Sequence, residues 1–338
     1  MATLAQIAAK AEVSLATASR ALNTSSGRKV RPDLAERVLA AAKELGYPTH
    51  KITSRSTQTN NCIAVLVNNI ADPYFAQIVA GVESIAERDD CLVTIISTGP
   101  RAHAKAEAVK LLADQQLRAI IIAGGLLYPD AAIADLAHQL SLVSSRGIPV
   151  ASIGTDFSHI HSVKVANHEG AVALAQSMIE RGYRDVILLA GPGDHKGALI
   201  RSDAIADTIT TLGGRIHLRL NTPFGRQAAY DVVGGILTSQ HPQLLMCVSD
   251  GLALGAMSRL HDAGISIPDQ IAISGFSDIP ILPYLSPRLT SVDLNAYGSG
   301  QAAARIVMDP PQQIVSHHMD YHVHLRESTP YLKPSIVC

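Results

Sequence analysis

One stretch of this chain carries side chains whose types and spacing suit a specific chemistry. Ser14-Leu15-Ala16-Thr17-Ala18-Ser19-Arg20 places three hydroxyls and a guanidinium within two helical turns. Such groups donate to phosphate oxygens and to base edges, and the first residues of a helix are the ones that enter a major groove. The charge distribution agrees. Residues 1–57 hold nine Lys/Arg and four Asp/Glu, a net of +5, whereas the rest of the chain nets −6. A cationic head on an anionic body implies that only the head meets a polyanion. Other candidates point nowhere comparable. Gly191-Pro192-Gly193 is short for a phosphate cradle and reads as a strand-end turn. His317-His318 and the alternating His322 and His324, on a strand-like run, lack the neighbouring Cys/His/Asp set of a metal site. No GxSxG, HExxH or Walker pattern occurs. The expectation is no catalytic residue, no metal, no cofactor and no enzyme. Cys62, Cys91, Cys247 and Cys338 are scattered, which suits reduced thiols.

The elements that position the first stretch can be read locally. Leu4, Ile7, Ala8 and Ala11 recur at helical spacing behind a capping Thr3. After the break at Glu12-Val13, Ser14 can cap a second helix over 15–22. A third helix starts at Pro32-Asp33, presents Leu34, Val38, Ala41 and Leu45 on one face, and stops at Gly46. Small residues (Ala8, Ala9, Ala11, Ala18, Ala21) let these helices cross closely. Two short helices joined by a tight turn and braced by a third make a helix-turn-helix.

From Cys62 onward the pattern changes. Strand-like runs at 63–67, 92–96, 119–122, 150–153, 186–189, 244–248 and 271–274 alternate with helical patterns such as 74–88, 105–116, 170–181 and 252–263. Strands alternating with helices give an α/β fold with parallel sheets covered on both faces. So many units in 338 residues suit two Rossmann-like lobes, with ligands beyond the carboxyl ends of the strands. No apolar run approaches the roughly 20 residues of a membrane span, and the N-terminus lacks a signal-peptide pattern. The expectation is a soluble cytoplasmic protein that does not engage a membrane.

The run Thr3-Leu4-Ala5-Gln6-Ile7-Ala8, then Val13-Ser14, Thr17, Ser19-Arg20 and Leu22-Asn23, resembles the headpiece of the lactose/galactose repressor family, and 37–47 continues the likeness. In the body, Asp72-Pro73-Tyr74-Phe75, Leu188-Leu189-Ala190-Gly191-Pro192, Ser249-Asp250, Gly275-Phe276-Ser277-Asp278, Leu285-Ser286-Pro287 and Arg326-Glu327-Ser328-Thr329 are similar to that family's sensor domain. The resemblance implies a three-helix headpiece (1–48), a hinge (49–60) and a two-lobed domain like periplasmic sugar-binding proteins (61–332), followed by a tail (333–338). Lobe one would hold roughly 61–160 and 293–318, and lobe two roughly 161–292 and 319–332. The partners it implies are a near-palindromic DNA operator, a second copy of the chain and a small effector, a sugar derivative or alternatively a purine or nucleoside. A DNA-independent solute receptor and a hydrolase on the same fold are the competing classes. The +5 head argues against the first, and the missing acid pair or nucleophile against the second.

Carried over residue by residue, Leu15 and Ala16 would read bases, and Arg20 a guanine through its fork to O6/N7. Thr3, Ser14, Thr17, Ser19 and Asn23 would hold phosphates, and Lys51 and Arg55 would follow the backbone or a narrow minor groove. The cleft set would be Tyr74, Phe75, His195, Arg201, Phe224, Ser249, Asp250, Ser277 and Asp278. Four departures stand out: Glu12 where the turn usually has Gly, Ala18 where a β-branched residue packs, and Ser277 and Gly154 where relatives carry carboxylates. The hinge also differs. An ungapped alignment puts Ser56 where a minor-groove Leu wedge is expected, no Leu occurs in 48–60, and Ile52 is the only large aliphatic side chain there.

Overall fold

The computed structural model describes residues 3–22, 30–45, 61–128, 130–236 and 242–332. Asn23, Lys51, Arg55 and the hinge 49–60 lie outside them. Two units are distinguished, 1–60 and 61–338.

The first unit holds α1 (Leu4–Lys10), α2 (Leu15–Leu22) and α3 (Pro32–Glu44). Thr3 closes a capping box: its Oγ1 accepts from the Gln6 amide at 3.3 Å, and Gln6 Oε1 accepts from the Thr3 amide at 2.8 Å. Ser14 Oγ caps α2 by accepting from the Thr17 amide at 3.1 Å. Ile7, Ala8, Ala11, Ala18, Leu22, Val38, Ala41 and Ala42 form the core. Ala9, expected to join the crossing, is exposed, because it sits one residue round the helix from the buried Ala8. Glu12 adopts φ +51°, the left-handed region where a glycine is at ease, which explains the glycine preference at this turn. Arg37 supports it, donating to the Ala11 carbonyl at 2.7 Å and to the Glu12 carboxylate at 3.1 Å.

The second unit contains two parallel sheets. The first comprises β1 (Cys62–Val67), β2 (Leu92–Ser97), β3 (Ala119–Ala123), β4 (Val150–Ile153), β5 (His161–Lys164) and β11 (Ser316–His318), in the order β11-β5-β4-β3-β1-β2. Helices α4 (Pro73–Ala86) and α11 (Ala296–Met308) cover one face, and α5 (Ala102–Leu112) and α6 (Ile133–Ser145) the other. β1 and β3 are apolar at nearly every position because both faces are covered, as the unbroken Val/Ile/Ala runs require. The second sheet orders β6 (Asp185–Gly191), β7 (Arg215–Asn221), β8 (Leu244–Cys247) and β9 (Ala272–Ser274) as β7-β6-β8-β9. Its helices are α7 (Asn167–Glu180), α8 (Lys196–Thr211), α9 (Arg226–Ile236) and α10 (Asp250–Asp262).

Three connections join the lobes: β5 to α7, β10 (Ser291–Asp293) to α11, and β11 to β12 (His322–His324). β10 and β12 pair antiparallel between the sheets. One boundary is corrected. His161–Lys164 pairs with β4 and β11, so the first lobe extends past residue 160. This strand is short and carries His, Ser and Lys, so it gives no apolar run to read. β7 was missed for a related reason: as an edge strand it alternates polar and apolar residues.

Candidate functional site

On the first unit, α2 presents Leu15, Ala16 and Arg20 to solvent. Leu15 is 53% exposed. A large aliphatic side chain at the start of a helix, turned away from the core it could join, is available to a partner surface such as a thymine methyl. The Thr3 and Ser14 hydroxyls are occupied in capping, and the Thr17 hydroxyl lies 2.8 Å from that of Ser14. A capping hydroxyl keeps a lone pair and, with rotation, can still donate to a phosphate. Ser19 is half-buried on the same helix.

In the second unit a cavity of 560 Å³ opens between the carboxyl ends of the two sheets, within the range of small-molecule sites. Of the nine expected residues, Tyr74, Phe75, His195, Arg201, Phe224, Ser249 and Ser277 line it. Helix starts deliver most of them. Asp72 caps α4, accepting from the Tyr74 amide at 3.0 Å, and so sets Tyr74 and Phe75, whose rings meet edge-on at 5.2 Å. His195 caps α8 through Nδ1, which accepts from the Ala198 amide at 3.2 Å, and its ring meets Phe224 edge-on at 5.1 Å. Because Nδ1 accepts, the neutral ring carries its proton on Nε2. Burial, with Arg201 nearby, depresses the imidazole to about 4, so the neutral form prevails near pH 7. Ser249 caps α10 by accepting from the Leu252 amide at 3.3 Å.

Arg201 is the fixed cation of the cavity. Nε donates to Asn167 Oδ1 at 2.7 Å, Nη1 donates to the Val248 carbonyl at 2.9 Å, and the guanidinium stacks on Phe276 at 4.7 Å. Both bonds go to neutral oxygens, and among the described residues Arg201 has no carboxylate in ion-pair range and Nη2 no hydrogen bond. Burial lowers its proton affinity from the ordinary value, and Asp72, Asp250 and Tyr74 oppose that. Burial also raises the Asp72 carboxyl and pushes Tyr74 to about 12.

Two expected residues do not line the cavity. Asp250 is 1% exposed and accepts from Ser291 Oγ at 2.7 Å and from the Ile279 amide at 2.9 Å. Burial raises it to about 6. Asp278 faces away from the cavity into a two-pronged pair with Arg326 at 2.6 and 2.9 Å. Asp250 holds the loop after β9 against the crossover strand β10, and Asp278 holds it against the segment after β12; in that loop Ser277 takes φ +117°. The motif placed them beside Ser249 and Ser277 in sequence, but in a tight loop neighbouring side chains diverge. The structure adds Asn68, Asn69, Asp72, Asn167 and Asn221 to the lining. They sit just past strand ends or at helix starts, which is the signal that could have found them. Gly154 lines the cavity at φ +81°.

Residues 3–50 match the bacterial regulatory proteins, lacI family, and 175–329 match the periplasmic binding protein-like domain. The chain thus carries a lacI-family DNA-binding domain ahead of a periplasmic binding protein-like domain. The chain is similar to the ribose operon repressor of Haemophilus influenzae, 25% identical with 99% of each chain covered. Its fold is that of the Lac repressor dimer bound to operator and the anti-inducer ONPF (TM-score 0.72, 21% identical, 97% of this chain and 99% of that one). It is also that of a LacI family regulator from Enterococcus faecium with bound ribose (TM-score 0.69, 21% identical, 80% and 100% covered). Like the regulators it resembles, this chain is a DNA-binding transcriptional regulator under metabolite control, not an enzyme. None of its described helices is long and apolar enough to cross a membrane.

Proposed function

We propose that this chain is a cytoplasmic, homodimeric repressor whose hold on a near-palindromic operator is set by a sugar or sugar derivative in the cavity. The observation that carries the effector is Arg201, a cation fixed by two neutral acceptors and left with unused donors facing a 560 Å³ space. A half-buried guanidinium without a carboxylate is costly unless something else meets it, and hydroxyl or anionic oxygens of a ligand do so. Asn68, Asn167, Asn221 and Asp72 supply the amide and carboxylate groups that polyhydroxylated ligands need, and the rings of Phe75 and Phe224 supply an apolar face. A similar repressor serves a ribose operon and a similar structure holds ribose, so pentoses are the first probes. A second reading, a purine or nucleoside, is favoured by one observation: two edge-on aromatic pairs, Tyr74–Phe75 and His195–Phe224, flank the cavity and suit a flat ring.

On the DNA side, Leu15 and Ala16 read bases, Arg20 reads guanine, and the hydroxyls with Asn23, Lys51 and Arg55 hold phosphates. Titrating wild type and Arg20→Ala against a selected operator and random DNA tests this. The variant loses about 1–3 kcal/mol of discrimination, roughly tenfold or more, and unchanged preference would remove Arg20 from the base-reading set. A thermal-shift screen with pentoses, sugar phosphates, nucleosides and purines on wild type and Arg201→Ala decides the effector class. A ligand that stabilises both proteins equally would remove Arg201 from the site.

A further inference from the structure

The two lobes touch across the cavity at a place the connections do not explain. The loop after β3 and the loop after β6 run antiparallel. The Tyr128 amide donates to the Asp194 carbonyl at 2.6 Å, and the Lys196 amide donates to the Leu126 carbonyl at 3.2 Å, with Leu127 opposite His195 between them. This is a two-rung backbone ladder between lobes. β3 lies two strands in from β5, and β6 two strands in from β9, the strand beside crossover β10. With strands about 4.8 Å apart, the ladder stands roughly 10 Å from the connections, far enough for a small hinge rotation to break it.

We infer that Gly125–Tyr128 and Asp194–Lys196 form a latch that holds the lobes closed over the cavity, so that passage of a ligand requires it to open. Residue choice supports this. A Cβ on Gly125 would lie 2.8 Å from His195 Cε1, so only glycine lets the strap approach the ring. Leu126 is buried under the strap, and the Leu127 amide donates to the Pro100 carbonyl at 3.2 Å, which ties the strap to lobe one. His195 serves three structures at once: its backbone sits in the ladder, its Nδ1 caps α8, and its ring lines the cavity. An occupant that moves the ring therefore disturbs cap and ladder together. The inference rests on reading the cavity as the effector site, but the ladder itself can be measured without DNA or effector.

The test is amide hydrogen exchange on the ligand-free full chain, wild type against Lys196→Pro and Gly125→Ala. Lys196 is the first residue of α8 and follows His195 at φ −92°, ψ 112°. Proline is tolerated at that helical position after such an extended residue, so the change deletes one rung and spares the helix. In wild type, Tyr128 and Lys196 are protected at least tenfold over free-peptide rates. In Lys196→Pro, Tyr128 loses about tenfold in protection while Ile121 of β3 and Leu188 of β6 keep theirs, and Gly125→Ala deprotects Tyr128 and Lys196 together. Tyr128 exchanging at free-peptide rates in wild type, or keeping full protection in Lys196→Pro, overturns the latch. Failure to find an effector would leave the exchange result standing, so the two readings fail separately.

Discussion

The headpiece and the cavity present opposite ways of building a binding surface. In the headpiece, residues a few positions apart build the reading surface: Ser14 caps, the Thr17 amide donates to it, and Leu15 and Arg20 face outward on the same two turns. Its core is a small set of alanines and aliphatics, so the surface can be exposed without further support. The cavity draws on residues from 68 to 277, delivered in short clusters by several strand ends and helix caps far apart in sequence. A convex reading surface needs only local order. A concave site needs two sheets, their caps and the crossovers to be right simultaneously, and it accumulates buried polar groups whose cost a small core would not carry.

That contrast can be broken first at Lys105. It is fully buried in the sensor, and Nζ reaches only neutral oxygens, Thr98 Oγ1 at 3.2 Å and the Ala123 carbonyl at 3.4 Å. Burial pushes its ammonium down to about 7. The unfolded chain therefore binds this proton more tightly, and stability rises as pH climbs from about 7 towards 10.5. Lys105→Met should stabilise the sensor by ~3–5 kcal/mol at pH 7 and flatten that rise. Thermal melts from pH 6.5 to 10 check it, and a variant with the wild-type pH slope would show that the amine is not held neutral.

Arg201→Ala sharpens the division of labour. Operator affinity should stay within about twofold of wild type while the response to any identified effector is lost, a change of tenfold or more in effective concentration. Fluorescence-anisotropy titrations with and without effector read both quantities. Loss of operator binding without effector would mean that the cavity wall and the DNA-bound state cannot be separated.

A smaller effect is expected at Glu12. Glu12→Gly relieves the left-handed backbone but gives up an exposed ion pair with Arg37, so it should be neutral within ~0.5 kcal/mol. Glu12→Ala keeps the strain and loses the pair, and should destabilise by ~0.5–1 kcal/mol. Amide exchange in α1–α3 measures both, and equal effects would mean that φ at this turn does not matter.

The smallest change concerns the hinge. With Ser56 in the wedge place, wild type should bend its operator only slightly. Ser56→Leu should increase the bend, because an inserted apolar side chain offsets base unstacking. End-to-end fluorescence transfer for wild type, Ile52→Ala and Ser56→Leu decides. A strong wild-type bend that survives Ile52→Ala would dismiss the idea.

What the amino-acid order determined by itself was whatever depends on near neighbours. The caps at Thr3 and Ser14, the three short helices, the outward Leu15 and Arg20, and the alternation of apolar runs with helical patterns all follow from spacing, because they involve contacts within a turn or a strand. The cleft residues came from the family resemblance and not from spacing; seven of the nine line the cavity, several of them at helix starts. Only the tertiary structure decided which carboxylates face the cavity. Asp250 and Asp278 lie beside lining residues in sequence, yet their oxygens go to Ser291 and Arg326, 41 and 48 positions away. A buried carboxylate takes whichever donors the fold brings to it, and the identity of those donors is set by how crossover strand β10 and the segment after β12 pack, not by the residues at either side.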